Sequence, residues 1–509
     1  MAAFETALGL VLEPYTLWVM LVSGLFGLFV GAMPGLTATM ATALLVPVTF
    51  FMPPVPAIAS IVTATAMAIF AGDLPGALVR IPGTPASAAY VEDAHRLTRK
   101  GQAELVLGCG LVFSVLGGIF GSLVLAVSAP ILAEFALGFS SFEYFWLALF
   151  GLSCAVFIST GRPIKGIVSV LLGLAIATIG IDPTAGHPRF TFGSIELTAG
   201  VSFIPAMIGM FAMAEVLRWV TSSRAIEDLA GRQKLGNVFR GQGRLLRRYW
   251  PNVLRSNVVG TAIGVLPGAG ADIAAWVTYA LAKRFSKEPE KFGTGHIEGV
   301  VAAGTANNSA LAGAWVPALV FGIPGDTITA IVIGVLFIKG MNPGPTIMLN
   351  NPEFLYAIFI VFILANLLML PLGWLAIKVF RQILAVPREF LMPLILVCCV
   401  VGSFAINNSV FGVGIMLVLG VIGYLMEANG FPIAPTILGL VLGEMIESHF
   451  MTSMIKADGN LLAFFERPVA AFLGVVTLLV WSWVAVGTIR RAIATGPSAE
   501  GAATPPRAP

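Results

Sequence analysis

Long apolar runs alternate with short polar interruptions along most of this chain. Runs near 57–71, 105–129, 143–160, 166–181, 198–217, 354–377, 390–404, 411–427, 432–446 and 469–488 predict helices that enter or cross a bilayer. A full crossing takes roughly 20 apolar residues at about 1.5 Å of rise each. Two further runs are interrupted inside rather than ended. Residues 16–50 are split by Pro34-Gly35, and residues 251–282 by Pro267-Gly268. Gly27 to Thr39 and Gly260 to Asp272 carry glycines four apart, the Pro-Gly pair and small or polar residues in the same order, 233 positions apart. A second pair of breaks lies further along each half. Val79-Arg80-Ile81-Pro82-Gly83-Thr84 returns as Val320-Phe321-Gly322-Ile323-Pro324-Gly325-Asp326, read here with one residue inserted. Pro and Gly interrupt a helix and free backbone groups. In hydrocarbon such groups are tolerated only inside protein or beside a water-filled cavity, and paired breaks in two halves point to a transporter's binding site.

Composition sharpens this picture. The 509 residues are 57% hydrophobic and 11% charged, with a mean hydropathy of +0.92; soluble domains carry about 25% charged residues. The chain reads as a polytopic membrane protein. A net charge of +3 with loop-bound basic residues is too small to suggest a nucleic-acid surface. Cys109, Cys154, Cys398 and Cys399 lie in apolar runs without ligand spacing and read as core fillers. The first 15 residues carry Glu5 and Glu13 without a basic lead, so no cleavable signal peptide is expected.

The basic residues orient the runs. The stretch 218–250, with Arg218, Arg224, Arg232, Lys234, Arg240, Arg244, Arg247 and Arg248, is expected on the cytoplasmic side. Lys283, Arg284 and Lys287 put the far end of 251–282 on that same side. About 30 residues are too few for two crossings, which favours a re-entrant hairpin; one kinked crossing is the alternative. Equivalent loops carry opposite charge character. Residues 51–56 carry no Lys or Arg while 283–291 carry four; 91–104 carry three while 339–352 carry only Lys339. The fold class is therefore an all-α polytopic membrane protein with two inverted structural repeats built on broken helices or re-entrant hairpins. The divisions are an N-terminal lead (1–15), a first repeat (16–217), a cytoplasmic connector (218–250), a second repeat (251–446), a final loop and span (447–489) and a disordered cytoplasmic tail (490–509).

The four breaks converge if the halves face each other. A helix starting after each Pro-Gly would offer free N–H groups and a positive dipole end to a carboxylate. Thr37, Thr39, Arg80, Gly83, Thr84, Ser87, Gly268, Gly325, Thr327 and Thr329 are the candidate substrate contacts. Gly35, Asp272, Asn307, Asn308, Ser309 and Asp326 are the candidate cation-coupling group, with Na⁺ as a possible occupant. Blander roles stand beside these. Small residues pack membrane helices, aspartates cap helix starts, and Arg80 could snorkel or pair with Asp73. Glu444 and Glu447 read equally well as interfacial residues. Histidines 95, 187, 296 and 449 are dispersed, and no nucleophile and base stand together. No ATPase-type phosphate loop is present. No enzyme and no cofactor are expected; active transport would draw on an ion gradient.

The runs Gly27–Phe50, Ile81–Ala103 and Gly295–Pro345, with Glu466-Arg467-Pro468 before the last span, resemble the large membrane (TctA-type) subunit of tripartite tricarboxylate transporters. The resemblance implies a multi-pass carrier of the bacterial inner membrane with its C-terminus in the cytoplasm. It implies two protein partners, a small four-span membrane subunit and a periplasmic solute-binding protein, and an organic di- or tricarboxylate imported with Na⁺ or H⁺. An elevator-type motion of a substrate domain is part of the same implication. Three positions depart from the family pattern. Ala303-Gly304-Thr305 precedes Ala306-Asn307-Asn308 where family members often carry a Pro-Glu; Arg80 stands for a frequent Asn, and Asp326 for a small residue. The substrate and the coupling ion are left open by these changes. A solute channel and a non-transporting membrane scaffold or receptor are the alternative functions.

Overall fold

The computed structural model describes residues 2–33, 36–158, 163–221, 236–384 and 388–494. Its first half runs α1 (Ala2–Leu12), α2 (Pro14–Ala32), α3 (Ala38–Thr49), α4 (Pro54–Ala71), α5 (Asp73–Val79), α6 (Val91–Leu97), α7 (Ala103–Ala136), α8 (Ser141–Ile158) and α9 (Pro163–Ala177). A short hairpin, β1 (Gly180–Ile181) with β2 (Pro188–Arg189), leads to α10 (Phe203–Met207). A π-helical turn then joins α10 to α11 (Ala214–Thr221). The second half runs α12 (Gln242–Val265), α13 (Gly270–Phe285), α14 (Ile297–Phe321), α15 (Thr327–Ile338), α16 (Ile347–Asn350), α17 (Pro352–Leu384), α18 (Arg388–Asn407), α19 (Val410–Ala428), α20 (Ile433–Lys456) and α21 (Pro468–Ala494). Six of the described helical stretches are long and apolar enough to cross a membrane: 14–32, 54–79, 91–136, 203–221, 352–380 and 410–428. The chain is an all-α, multi-pass membrane protein.

Some expectations shift. The stretch 91–104, read as a polar loop, is helical: α6 continues through a π turn into α7, broken in conformation at Gly101 and Gln102. The run 432–446 lengthens to Lys456, which brings Glu444, Glu447 and His449 onto α20. Glu447 is held there by both guanidinium nitrogens of Arg189 on β2, at 2.5 and 2.9 Å. The residues of the basic connector at 222–235, Gly35 in the first break, and the tail from 495 lie outside the described residues.

Two helices form the centre. α4 is buried from Val55 to Ala71, and α14 from Glu298 to Val320. Their surfaces are largely Ala, Gly, Ser and Thr, which lets neighbouring backbones approach where van der Waals packing must hold helices together. On α2, Gly27 and Gly31 meet Ala64 and Ala68; a Cβ on Gly27 would lie 2.1 Å from the Ala64 carbonyl oxygen. On α12, Gly260 and Gly264 meet Ala306 and Ala310; a Cβ on Gly264 would lie 2.3 Å from the Ala310 carbonyl oxygen. The long helices cross over. α7 of the first half packs on α14, with Gly117 against Thr305 and Gly121 against Ser309. α17 of the second half packs on α4 and α2, with Gly373 against Phe70 and Leu372 against Gly24.

The loops pair in the same crosswise way. Lys339, after α15, donates to the carbonyls of Phe50 and Met52, after α3, at 2.9 and 2.7 Å. Asp93, on α6, accepts from the N–H groups of Gly293, Gly295 and His296 and from the Tyr279 hydroxyl. Lys100 donates to the carbonyl of Thr294 at 3.0 Å.

Candidate functional site

The two Ile-Pro-Gly breaks are built alike. Each preceding helix ends on a left-handed residue, Arg80 at φ 59° and Gly322 at φ 68°, whose N–H donates to the carbonyl of a proline five residues back, Pro75 or Pro317. These caps align the breaks residue for residue, so the single insertion expected between them is absent. The next glycine in each makes a backbone-close contact. A Cβ on Gly83 would lie 2.7 Å from Gly72 Cα, and one on Gly325 would lie 2.7 Å from Ala314 Cα. Each break then closes in a reciprocal cap. Thr84 N donates to Ser87 Oγ and Ser87 N to Thr84 Oγ1, both at 3.1 Å. Asp326 N donates to Thr329 Oγ1 and Thr329 N to Asp326 Oδ1, both at 2.8 Å. This is the S/T-x-x-E/Q logic with a hydroxyl in the return role.

Beyond the caps the two halves diverge. Asp326 opens α15, and Thr37 opens α3 by accepting from Met40 N at 3.2 Å. After Pro82-Gly83 the chain forms a short 3₁₀ turn (Ser87–Ala89) before the helical stretch that starts at Val91, so no helix starts directly at this break. Thr84 and Ser87 use their hydroxyls on the local N–H groups, and the chain turns again at Tyr90.

The breaks meet around one cavity of about 80 Å³. Thr37, Thr39, Thr84 and Thr327 supply hydroxyl-bearing walls, and Gly268, Asn307, Asp272 and Asp326 complete the predicted set that lines it. Ala434 and Leu438 of α20 close one side; their plain apolar setting in the sequence held no sign of this. Contacts cross between the halves at the cavity. Thr39 and Thr327 hydroxyls lie 3.4 Å apart. Asp272 Oδ1 accepts from Ala86 N at 3.1 Å, and Trp276 Nε1 donates to the Pro85 carbonyl at 3.1 Å. Gly270, at φ 61°, lies where a Cβ would come 2.8 Å from Asp326 Cβ. The left-handed Gly268 and Gly270 bring the start of α13 down onto Asp326.

Other predicted residues stand elsewhere. Asn308 and Ser309 are buried on other faces of α14. Asn308 Nδ2 meets Met369 Sδ at 3.7 Å, and Ser309 Oγ donates to the Ala306 carbonyl at 3.1 Å. Successive helical residues turn by about 100°, so the run Asn307-Asn308-Ser309 cannot face one cavity. Ser87 and Thr329 are buried caps, and Gly83 and Gly325 are helix contacts. Arg80 is exposed and paired with Glu92 at 2.8 Å, not with Asp73. Asp73 instead accepts from the Tyr90 hydroxyl.

The lining thus carries two carboxylates and no basic side chain. Asp272 is exposed and Asp326 half-buried. Carboxylate, amide and hydroxyl oxygens are hard donors suited to Na⁺ or a proton. The starts of α3, α13 and α15 add positive dipole ends toward the same space. Among the described residues, no cluster of three His, Cys, Asp or Glu side chains is placed to hold a metal ion.

Comparison with known proteins gives a consistent answer. The chain is 34% identical over 475 residues, 93% of each chain, to an uncharacterized 52.8 kDa protein in the TAR-I ttuC' 3' region of Agrobacterium vitis. It is 35% identical over 214 residues, 42% of this chain and 88% of the other, to an uncharacterized protein in the TAR-II ttuC' 3' region of the same organism. No solved structure matches it. The profile of the tripartite tricarboxylate transporter TctA family matches residues 17–438, a span that contains all four breaks and the cavity between them, and the chain belongs to that family.

Proposed function

We propose that this chain is the permease subunit of a binding-protein-dependent secondary transporter that imports an organic di- or tricarboxylate with Na⁺ or H⁺. The observation that carries the reading is the convergence of four helix breaks, two from each half, on one cavity lined by two carboxylates, an amide and four threonines. Family membership supports the two partners, a small four-span membrane subunit and a periplasmic solute-binding protein, and an inner-membrane location. The matched glycine contacts, the matched caps and the crosswise loop pairing support two inverted repeats. In this arrangement α2–α3 and α12–α13 are re-entrant hairpins entering from opposite faces. The basic connector and Arg490-Arg491 support a cytoplasmic C-terminus.

The charge of the cavity argues for coupling. A substrate carboxylate about 4 Å from an aspartate would meet a repulsion of roughly 4 kcal/mol at an effective dielectric of about 20. Asp272 and Asp326 must therefore be neutralised, by Na⁺ or by protons, before an anion is held. Hydroxyls of Thr37, Thr39, Thr84 and Thr327 and the helix starts then hold its carboxylates. The loaded cavity opens to the other face by alternating access.

The test is uptake of labelled di- and tricarboxylates into vesicles holding this chain and both partners, with Na⁺ and proton gradients imposed separately. Uphill accumulation under one gradient is expected. Downhill flux insensitive to both would mark a channel. Verified assembly with no flux would leave a scaffold or receptor.

A further inference from the structure

Asp73 is the first residue of α5 and 8% exposed. One of its oxygens, Oδ1, accepts from the Tyr90 hydroxyl; the other, Oδ2, is buried without a hydrogen-bond partner. Gly110 on α7 lies next to that bare oxygen, with the Cys109 thiol nearby. The other elements packed against α5 bring no cation to it. α2 and α4 contain no charged residue. On α6, Glu92 pairs with Arg80 and Arg96, Asp93 is saturated by the 293–296 loop and Tyr279, and the ring of His95 faces the Ala77 carbonyl at 3.3 Å. The buried Asp93 carboxylate accepts from four donors; Asp73 has one. A buried, unpaired carboxylate is costly as an anion and far less so as an acid.

The second half has no acid at the equivalent place. Counted back from the matched caps Arg80 and Gly322, the second half carries the buried Trp315 at the place of Asp73. The Asp73–Tyr90 pair has a route to the cavity: the side chain of Asn307, which lines it, interacts with the Tyr90 hydroxyl.

We propose that Asp73 is a proton-binding site tied to the cavity through Tyr90 and Asn307. The carboxylate takes up one proton on Oδ2 from water entering when the cavity opens, becoming a neutral acid, and returns that proton to water on the other face. Tyr90 goes on donating to Oδ1 in both forms. The inference rests on the transport reading for its role in the cycle, but not for the proton site itself.

Two measurements separate these. The first is an infrared pH titration of the full chain, with Asp73→Asn to assign the carbonyl stretch of the protonated acid and Tyr90→Phe to perturb it. A band that persists at neutral pH, vanishes in Asp73→Asn and shifts in Tyr90→Phe is expected. Identical spectra for the original chain and Asp73→Asn would overturn the proposal without reference to transport. The second is proton uptake accompanying succinate and citrate uptake in vesicles with both partners. Loss of the proton-driven component in Asp73→Asn is expected, and an undiminished component would overturn the coupling role. The band present in a chain that moves none of a panel of di- and tricarboxylates would support the proton site and sink the transport reading alone.

Discussion

Asp326 occupies the place that Thr84 occupies in the first half, and both cap a break. Cap and charge can therefore be separated at one residue. Asp326→Thr keeps a cap and removes the carboxylate; it should change stability by less than about 1 kcal/mol while altering the cation dependence of uptake. Asp326→Ala should cost about 1–2 kcal/mol, the usual loss for an N-cap. Thermal unfolding in detergent and uptake against cation concentration read the two effects; an unchanged cation dependence in Asp326→Thr would remove this carboxylate from coupling. Gly270 makes a second single-residue case. Its positive φ and the 2.8 Å approach to Asp326 leave no room for a methyl group. Gly270→Ala should therefore abolish uptake and destabilise by roughly 1–3 kcal/mol, by strain and overpacking. Normal uptake by this variant would mean that the α13 start need not touch Asp326. At this scale the residue types were legible, but not their orientations. Thr84-Pro85-Ala86-Ser87 and Asp326-Thr327-Ile328-Thr329 have the spacing of caps, yet nothing local says that Asp326 also faces a cavity while Ser87 does not.

Glycine spacing works at the level of helices. Gly27 and Gly31 let α2 lie on α4, as Gly260 and Gly264 let α12 lie on α14. Adding a methyl at Gly27 or Gly260 should destabilise the protein by a similar amount in each case, roughly 1–3 kcal/mol. Gly304, on the same α14, has nothing within 4 Å of a built Cβ. Gly304→Ala should be neutral, or stabilising by up to about 1 kcal/mol, since Ala is the better helix former. Melting of the three variants in one detergent compares them directly; a Gly304 loss as large as the Gly260 loss would refute close backbone approach as the cause. The existence and order of the elements were readable because apolar run length is a local property. The helical state of 91–104 was not. Its polar side chains look loop-like in isolation, and what stabilises them is Asp93 docking on the 293–296 loop, some 200 residues away.

For the molecule as a whole, crosswise loop pairing puts Phe50–Met52 with Lys339 and Asp93–Lys100 with Gly293–His296. If the halves are inverted, these two groups lie on opposite faces of the membrane. With the four native cysteines replaced, Phe51→Cys should react with an impermeant thiol reagent applied outside. Glu290→Cys should react only after the membrane is opened. Labelling of both from one face would rule out the inverted arrangement. The sequence alone determined that the chain crosses a membrane many times, where its helices break, and that the breaks come in pairs, because hydropathy and the backbone chemistry of Pro and Gly act over a few residues. Tertiary structure alone decided which break residues share a cavity. Helix rotation admits Asn307 and turns Asn308 and Ser309 away, and the Glu92 carboxylate draws Arg80 outward. The close packing of α13 on the second Ile-Pro-Gly break brings Asp272 and Asp326 to the same space. Those outcomes depend on rotation and register between segments hundreds of residues apart, and packing settles them where spacing along the chain cannot.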